Sequence, residues 1–316
     1  MSKKKISIIS SAYNEQENVR ELYERVKAEM AKHADKYDYE QLVLDNGSTD
    51  DTLKELRAIA AEDKNFKVIV NARNFGHIRS PYYGILQCQG DAVIYLASDL
   101  QDPPEIIGQF LQKWEEGFKV VLGQKNQSEE NKLFFSIRKA YYWLLNLVND
   151  SGAKLLPNCT GFGLFDKEVV SQLRQLDDPY PYLRGIVCEL GYAATTVPFE
   201  QPLRKRGFTK NNFYTLYDNA MLGFTNHSKV PLRLAAMGGF VLGAISFLLA
   251  LVYLVLKLLF WNQFPMGTAP ILLAVFFFAS VQLIFLGILG EYIGAILTHV
   301  LHRPTVIEKE RINFNK

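Results

Sequence analysis

One stretch of this sequence limits its architecture more than any other. From Leu234 to Leu256 there are 23 residues without a charge, bracketed by Arg233 and Lys257. A helix of that length rises about 34 Å, enough to cross a hydrocarbon core of about 30 Å. After Lys257 the next charge is Glu291. The turn-like run Trp261-Asn262-Gln263-Phe264-Pro265-Met266-Gly267 divides that interval, and Ile271 to Gly290 gives a second apolar span of 20 residues. The alternative is a pair of helices buried in a soluble core.

Basic residues set the expected orientation. Lys205, Arg206, Lys210, Lys229 and Arg233 precede the first span, and Arg303, Lys309 and Arg311 follow the second. The connecting turn has only Lys257 at its edge. The positive-inside rule places both termini in the cytoplasm, with Trp261 and Phe264 at the far interface. The basic Met1 to Lys5 leads into a short strand-like run, so no signal peptide is expected. Phe213, Tyr214, Tyr217, Ala220, Met221 and Phe224 recur at helical spacing before the first span. They fit an interfacial helix or an ordinary packed one.

The rest of the chain alternates strand and helix. Strand patterns at Ile6–Ser10, Gln41–Leu44, Phe66–Val70 and Ala92–Leu96 are separated by helical spacing over Glu15–Ala31 and from about Thr49. Such alternation predicts a parallel α/β sheet, whose ligands bind outside the carboxyl ends of the strands. Polar loops follow each strand: Ser11-Ala12-Tyr13-Asn14-Glu15, Asp45-Asn46-Gly47-Ser48, Asn71 to Gly76, and Ala97-Ser98-Asp99-Leu100-Gln101-Asp102-Pro103-Pro104-Glu105. Carboxylates there can read ribose or base edges, and Asp99 can hold a divalent ion against a diphosphate. Each loop also has a plainer reading. Asp45 to Ser48 can be a turn and cap, Asp102 before Pro103 reads best as a helix N-cap, and Asp166 likewise. His77 and His227 read as structural or surface residues.

Charge and cysteine usage remove other classes. With 35 basic against 33 acidic residues, the balance of +2 argues against a nucleic-acid binder. Cys88, Cys159 and Cys188 have neither disulfide-framework nor zinc spacing.

These residues resemble the polyprenyl-phosphate glycosyltransferases of glycosyltransferase family 2. The dolichyl-phosphate mannose synthases are similar over the catalytic domain, and the bactoprenol glucosyltransferases over almost the whole chain. Tyr13-Asn14-Glu15, Asp45 to Ser48, Asn74-Phe75-Gly76 and Asp99 to Glu105 match by type and order. Arg204 to Lys210, Pro231-Leu232-Arg233, Gly290-Glu291-Tyr292-Ile293-Gly294 and Arg303-Pro304 are the matches more specific to this branch.

The resemblance implies a GT-A domain over 1–210, an interfacial segment over 211–230, a transmembrane hairpin over 231–301 (helices about 234–256 and 271–290) and a cytoplasmic tail over 302–316. It implies inverting transfer of a hexose, glucose from UDP-glucose, to undecaprenyl phosphate at a bacterial-type inner membrane. Ala12, Tyr13, Glu15, Asp45, Ser48, Gly76 and Asp99 would bind the nucleotide sugar. Asp99 and Gln101 would hold Mg2+ or Mn2+, and Arg138, Arg204 and Lys210 the acceptor phosphate. Asp99, Arg204 and Lys210 form the expected catalytic set; a homo-oligomer through the hairpin is compatible with the pattern.

Three positions depart from the family pattern: Ala97 replaces the first acid of Asp-x-Asp, Asn46 the second acid of Asp-Asp-Gly-Ser, and Gly161-Phe162-Gly163-Leu164 an Asp-Phe-Arg-Leu element. Rival readings are a processive polysaccharide synthase, whose Gln-x-x-Arg-Trp element is missing, and a tethered nucleotide-sugar binder without catalysis.

Overall fold

The computed structural model describes residues 3–125, 156, 159–176, 178–202, 221, 225, 229–260 and 268–314. In chain order it begins β1 (Lys4–Ala12), α1 (Val19–Ala31), β2 (Tyr37–Asp45), α2 (Thr52–Glu62), β3 (Phe66–Asn71), α3 (Gly76–Gln87) and β4 (Ala92–Tyr95). There follow α4 (Ile107–Glu115), β5 (Val120–Lys125), β6 (Cys159–Asp166), α5 (Lys167–Gln175), α6 (Leu183–Glu189) and β7 (Ala194–Phe199). Two long helices, α7 (Val230–Leu259) and α8 (Thr268–Val300), precede a last strand, β8 (Glu308–Ile312).

The strands form one mixed sheet in the order β7-β5-β6-β4-β1-β2-β3-β8. β1 pairs in parallel with β2 and β4, and β2 with β3, whereas β6 and β8 run antiparallel to β4 and β3. Alternation along β1 explains the layers. Ile6 and Ile8 pack with Leu22, Val26 and Met30 of α1 and with Ile107 and Phe110 of α4. Ile9 faces the other way, toward Tyr82 and Ile85 of α3 and Val169 and Leu173 of α5. Helices therefore cover both faces, as the near-continuous apolar runs of parallel strands require. Each such fully buried side chain stabilises the fold by roughly 1.5–3 kcal/mol. Asp166 closes β6 and caps α5, accepting the Glu168 amide at 2.9 Å.

Two helix starts move relative to the sequence pattern. α1 begins at Val19 rather than Glu15, and α2 at Thr52 rather than near Thr49. Asp50 accepts the Thr52 amide at 3.0 Å, while Ser48 and Thr49 bond to Asn14 instead of to their own helix. The capping-type residues of the second loop thus tie two loops together.

Both α7 and α8 contain segments, Val230–Leu256 and Phe277–Val300, long and apolar enough to cross a membrane. Their large side chains, Phe240, Phe247, Leu258, Leu283 and Ile284 among them, are exposed. That removes the reading of two helices buried in a soluble core. With 33 residues, α8 is about 50 Å long and outruns the hydrocarbon thickness, so Glu291 lies inside the helix rather than at its end. Past it, Tyr292, Ile296 and Val300 face Leu176, Ile186 and Leu190 across a groove of about 510 Å³. The stretch expected at the interface, 211–230, falls largely outside the described residues, as do Arg138, Arg204, Lys210 and His227.

The chain then returns to the sheet. Ile307 accepts the Ala72 amide at 2.8 Å, and β8 pairs with β3 from Glu308 to Ile312. Salt bridges and hydrogen bonds join Glu310 to Arg57 on α2 and Glu308 to Tyr83 on α3. The tail is an edge strand of the sheet.

Candidate active site at the carboxyl edge

Four strand ends meet in register. Ala12 and Asp45 are partners at the last step of β1 and β2, Asp45 lies beside Val70, and Ile9 beside Tyr95. The loops that follow are linked by a chain of short polar side chains. The Ser98 hydroxyl donates to the Ser11 carbonyl at 2.9 Å, and Ser11 Oγ meets Ser80 Oγ at 2.9 Å. Asn71 Nδ2 donates to Ser80 Oγ at 3.1 Å and to Asn46 Oδ1 at 3.0 Å. Each strand end contributes one member, so the edge is fixed as a unit.

Asn46 is the hub. Its Oδ1 also accepts the Phe75 amide at 2.9 Å, and its Nδ2 donates to Asn74 Oδ1 and the Gly76 carbonyl, both at 3.1 Å. A carboxylate cannot donate, so the departure at this position is what holds the 71–76 loop. Gly47 has φ +75° and passes so close that a Cβ would lie 2.6 Å from the Arg73 carbonyl carbon. Only glycine fits there.

The residues expected to bind the nucleotide sugar share this edge in different settings. Ala12 and Asp45 are fully buried, and Asp45 accepts the Ser48 amide at 3.2 Å. Burial raises the Asp45 carboxyl, against the pull of Ser48. Glu15 is buried too; one oxygen takes the Asn18 carboxamide at 2.5 Å, and its amide donates to Thr52 at 2.8 Å. Tyr13, Ser48 and Gly76 are half-buried on the rim. Asn14, with φ 56°, occupies the left-handed region and turns the chain between Tyr13 and Glu15.

The fourth loop holds two acids in contrasting roles. Asp99 is half-buried and accepts the Gln101 amide at 3.2 Å; its other oxygen receives no hydrogen bond from the described residues. Between them Leu100 has φ 60°, and burial of its side chain in the core offsets a strain of roughly 1–3 kcal/mol. Asp102 corrects the sequence reading. It is not a helix cap: the 3-10 turn at Pro104–Ile106 has no side-chain cap, and Asp102 accepts the Ala97 amide at 3.1 Å. Buried there, and only partly relieved by that amide, its carboxyl is pushed up to about 7.

Among the described residues no three His, Cys, Asp or Glu side chains gather as a ready-made metal cage. Asp99 keeps one carboxylate oxygen that takes no hydrogen bond from the described residues. That donor set fits a hard ion held mainly by phosphate oxygens and water, as Mg2+ commonly is, with one or two carboxylates completing it.

Two basic residues that act on Asp102 escaped the sequence reading. Arg184 of α6 lies over Gly161, its Cγ and Nε 3.9 Å from where a Cβ would stand. β6 runs antiparallel to β4 with Gly163 beside Tyr95, which brings Gly161 alongside the loop that contains Ala97. Arg184 and Lys125 both act electrostatically on Asp102. Neither lies in a recognisable motif, and only pairing of the strands brings them near Asp102.

The mixed sheet, with polar loops gathered at the carboxyl ends of its parallel strands, is of GT-A type, and a family match shows that the chain is a glycosyltransferase. Residues 7–174 match the family described as Glycosyl transferase family 2, and the chain belongs to that family. The uncharacterized glycosyltransferase YkcC of Bacillus subtilis is 33% identical over 304 residues, covering 95% of this chain and 92% of its own. The bactoprenol glucosyl transferase of Shigella phage SfV is 32% identical over 307 residues, covering 96% and 98%. Among solved structures, glucosyl-3-phosphoglycerate synthase from Mycobacterium tuberculosis is 20% identical, with a TM-score of 0.49 over 70% of this chain and 78% of that one.

Proposed function

We propose that this glycosyltransferase moves a glucosyl unit from UDP-glucose to a polyprenyl phosphate, of the undecaprenyl type, at the cytoplasmic membrane face. The carrying observation is the similarity to a bactoprenol glucosyl transferase over 96% of this chain, the two apolar helices included. The basic residues flanking those helices support cytoplasmic termini, and the helices keep the site near a lipid that cannot leave the bilayer.

In this reading Ala12, Tyr13, Glu15, Asp45, Ser48 and Gly76 bind the nucleotide, and Asp99 with Gln101 faces the diphosphate. Arg138, Arg204 and Lys210 hold the acceptor phosphate. A phosphate monoester, with second pKa about 6, is mostly a dianion at neutral pH and needs no general base. Its oxygen attacks the anomeric carbon from the side opposite the diphosphate. The new carbon–oxygen bond forms as the old one breaks, and UDP departs with the bonding pair. A divalent ion, Mg2+ or Mn2+, bound by Asp99 and Gln101 would neutralise charge on the leaving group. The protein contributes positioning and charge stabilisation.

The test uses the full chain in detergent with undecaprenyl phosphate and radiolabelled UDP-glucose. Label should enter the lipid phase, stop with EDTA and fall about 100-fold or more in Asp99→Ala, a loss of the size seen for single charge-stabilising groups. If UDP-glucose binds but neither it nor UDP-galactose, UDP-N-acetylglucosamine or GDP-mannose labels lipid, the transfer reading is wrong and a non-catalytic binder takes its place.

A further inference from the structure

Arg79, at the carboxyl edge, has a guanidinium nitrogen that no acceptor among the described residues answers. It stands in the first turn of α3, next to Ser80, whose hydroxyl meets Ser11 at the end of β1. Its Nε is buried and has no hydrogen-bond partner. Its guanidinium lies 5.1 Å from the centre of the Tyr180 ring. Asp178, two residues from Tyr180, is turned to the Tyr180 amide at 2.9 Å and toward His299 at 3.9 Å. Elsewhere, Arg20, Arg25, Arg57 and Arg311 bind carboxylates, and Arg174 binds main-chain carbonyls.

Arginine cannot shed its proton to escape burial, so a buried N–H without an acceptor carries an uncompensated desolvation cost. Such a group calls for a partner that arrives later. The Tyr180 ring covers one face of the guanidinium, and the Nε on its edge lacks an acceptor among the described residues, which a phosphate oxygen reaching that edge would supply. The positive end of α3 adds to the attraction.

We propose that Arg79 binds a phosphoryl group at this edge, either the donor diphosphate or the acceptor phosphate; this rests on the transfer reading above for the identity of those two ligands. Arg79→Gln and Arg79→Lys would be made in the full chain. Three quantities are measured for each: the UDP dissociation constant, the KM for undecaprenyl phosphate, and the melting temperature. The expected result is a tenfold or greater weakening of one ligand in Arg79→Gln, partial recovery in Arg79→Lys, and little change in melting. A loss confined to UDP assigns the donor diphosphate, and a loss confined to the acceptor KM assigns the lipid phosphate.

If both ligand constants in both variants stay within twofold of the parent, whatever the melting temperature does, Arg79 merely packs on Tyr180 and the proposal is overturned. Should the parent chain label no lipid, the transfer reading fails on its own. The UDP titration then decides the proposal: a tenfold loss sustains it and an unchanged constant ends it. If Arg79→Gln does not fold, Arg79→Lys, which keeps the charge and loses the planar fork, gives the same readouts.

Discussion

At the scale of single residues, the carboxyl edge depends on groups that both donate and accept. Asn46 satisfies two donors and two acceptors within one buried carboxamide. Asn46→Asp would set a carboxylate against the Gly76 carbonyl and Asn74 Oδ1, leaving acceptors facing acceptors. We expect a stability loss of about 2 kcal/mol or more by chemical denaturation, with weaker UDP binding. Unchanged stability would show that the hub is dispensable. The sequence displayed Asn46 only as a missing acid, because the four partners come from residues 71–76 and meet it through strand pairing.

Among elements, β8 is the least expected. Its pattern Glu308-Lys309-Glu310-Arg311-Ile312 has one large apolar residue, so alternation gives little signal. What fixes it is tertiary. Asn313, with φ 62°, donates to the carbonyls of Ala60, Asp63 and Phe66 at 2.6, 3.2 and 2.8 Å, and so closes the turn between α2 and β3. Asn313→Ala should cost roughly 1–3 kcal/mol. It should also speed amide exchange at Ala72, whose N–H bonds to Ile307 just before β8. Exchange at parental rates would mean that the tail is held by its salt bridges instead. The strands β1 to β4, by contrast, are readable from their apolar runs because burial on both faces demands them.

Over the whole molecule, the two edges of the sheet do different work. At the amino edge Glu40 is buried among Lys5 at 2.5 Å, Lys67 at 2.8 Å and Ser7 at 2.7 Å. Burial by itself would raise its carboxyl, but the three partners together hold it down at about 2, against an ordinary 4.5. A depressed folded-state value means that the stabilisation is complete above about pH 4.5 and is lost as pH falls toward 2, amounting to about 3 kcal/mol. Glu40→Gln should therefore be less stable at pH 7 and should flatten the acid limb of the stability curve. UDP affinity should stay unchanged, because this edge lies across the sheet from the site. A variant with the parental acid limb would place the acid sensitivity elsewhere.

The sequence by itself determined the α/β alternation, the four polar loops after the strands, the two apolar spans and the family. Each of these is written in local periodicity, in the absence of charge, or in contiguous motifs. Tertiary structure alone decided that Asp102 turns inward to Ala97, that Arg79 reaches the edge and that Arg184 acts on Asp102. It also decided that Asn46 binds a loop and that the last strand returns to β3. These contacts join residues far apart in sequence, and no local pattern records them, because they exist only once the strands have paired and the helices have covered the sheet.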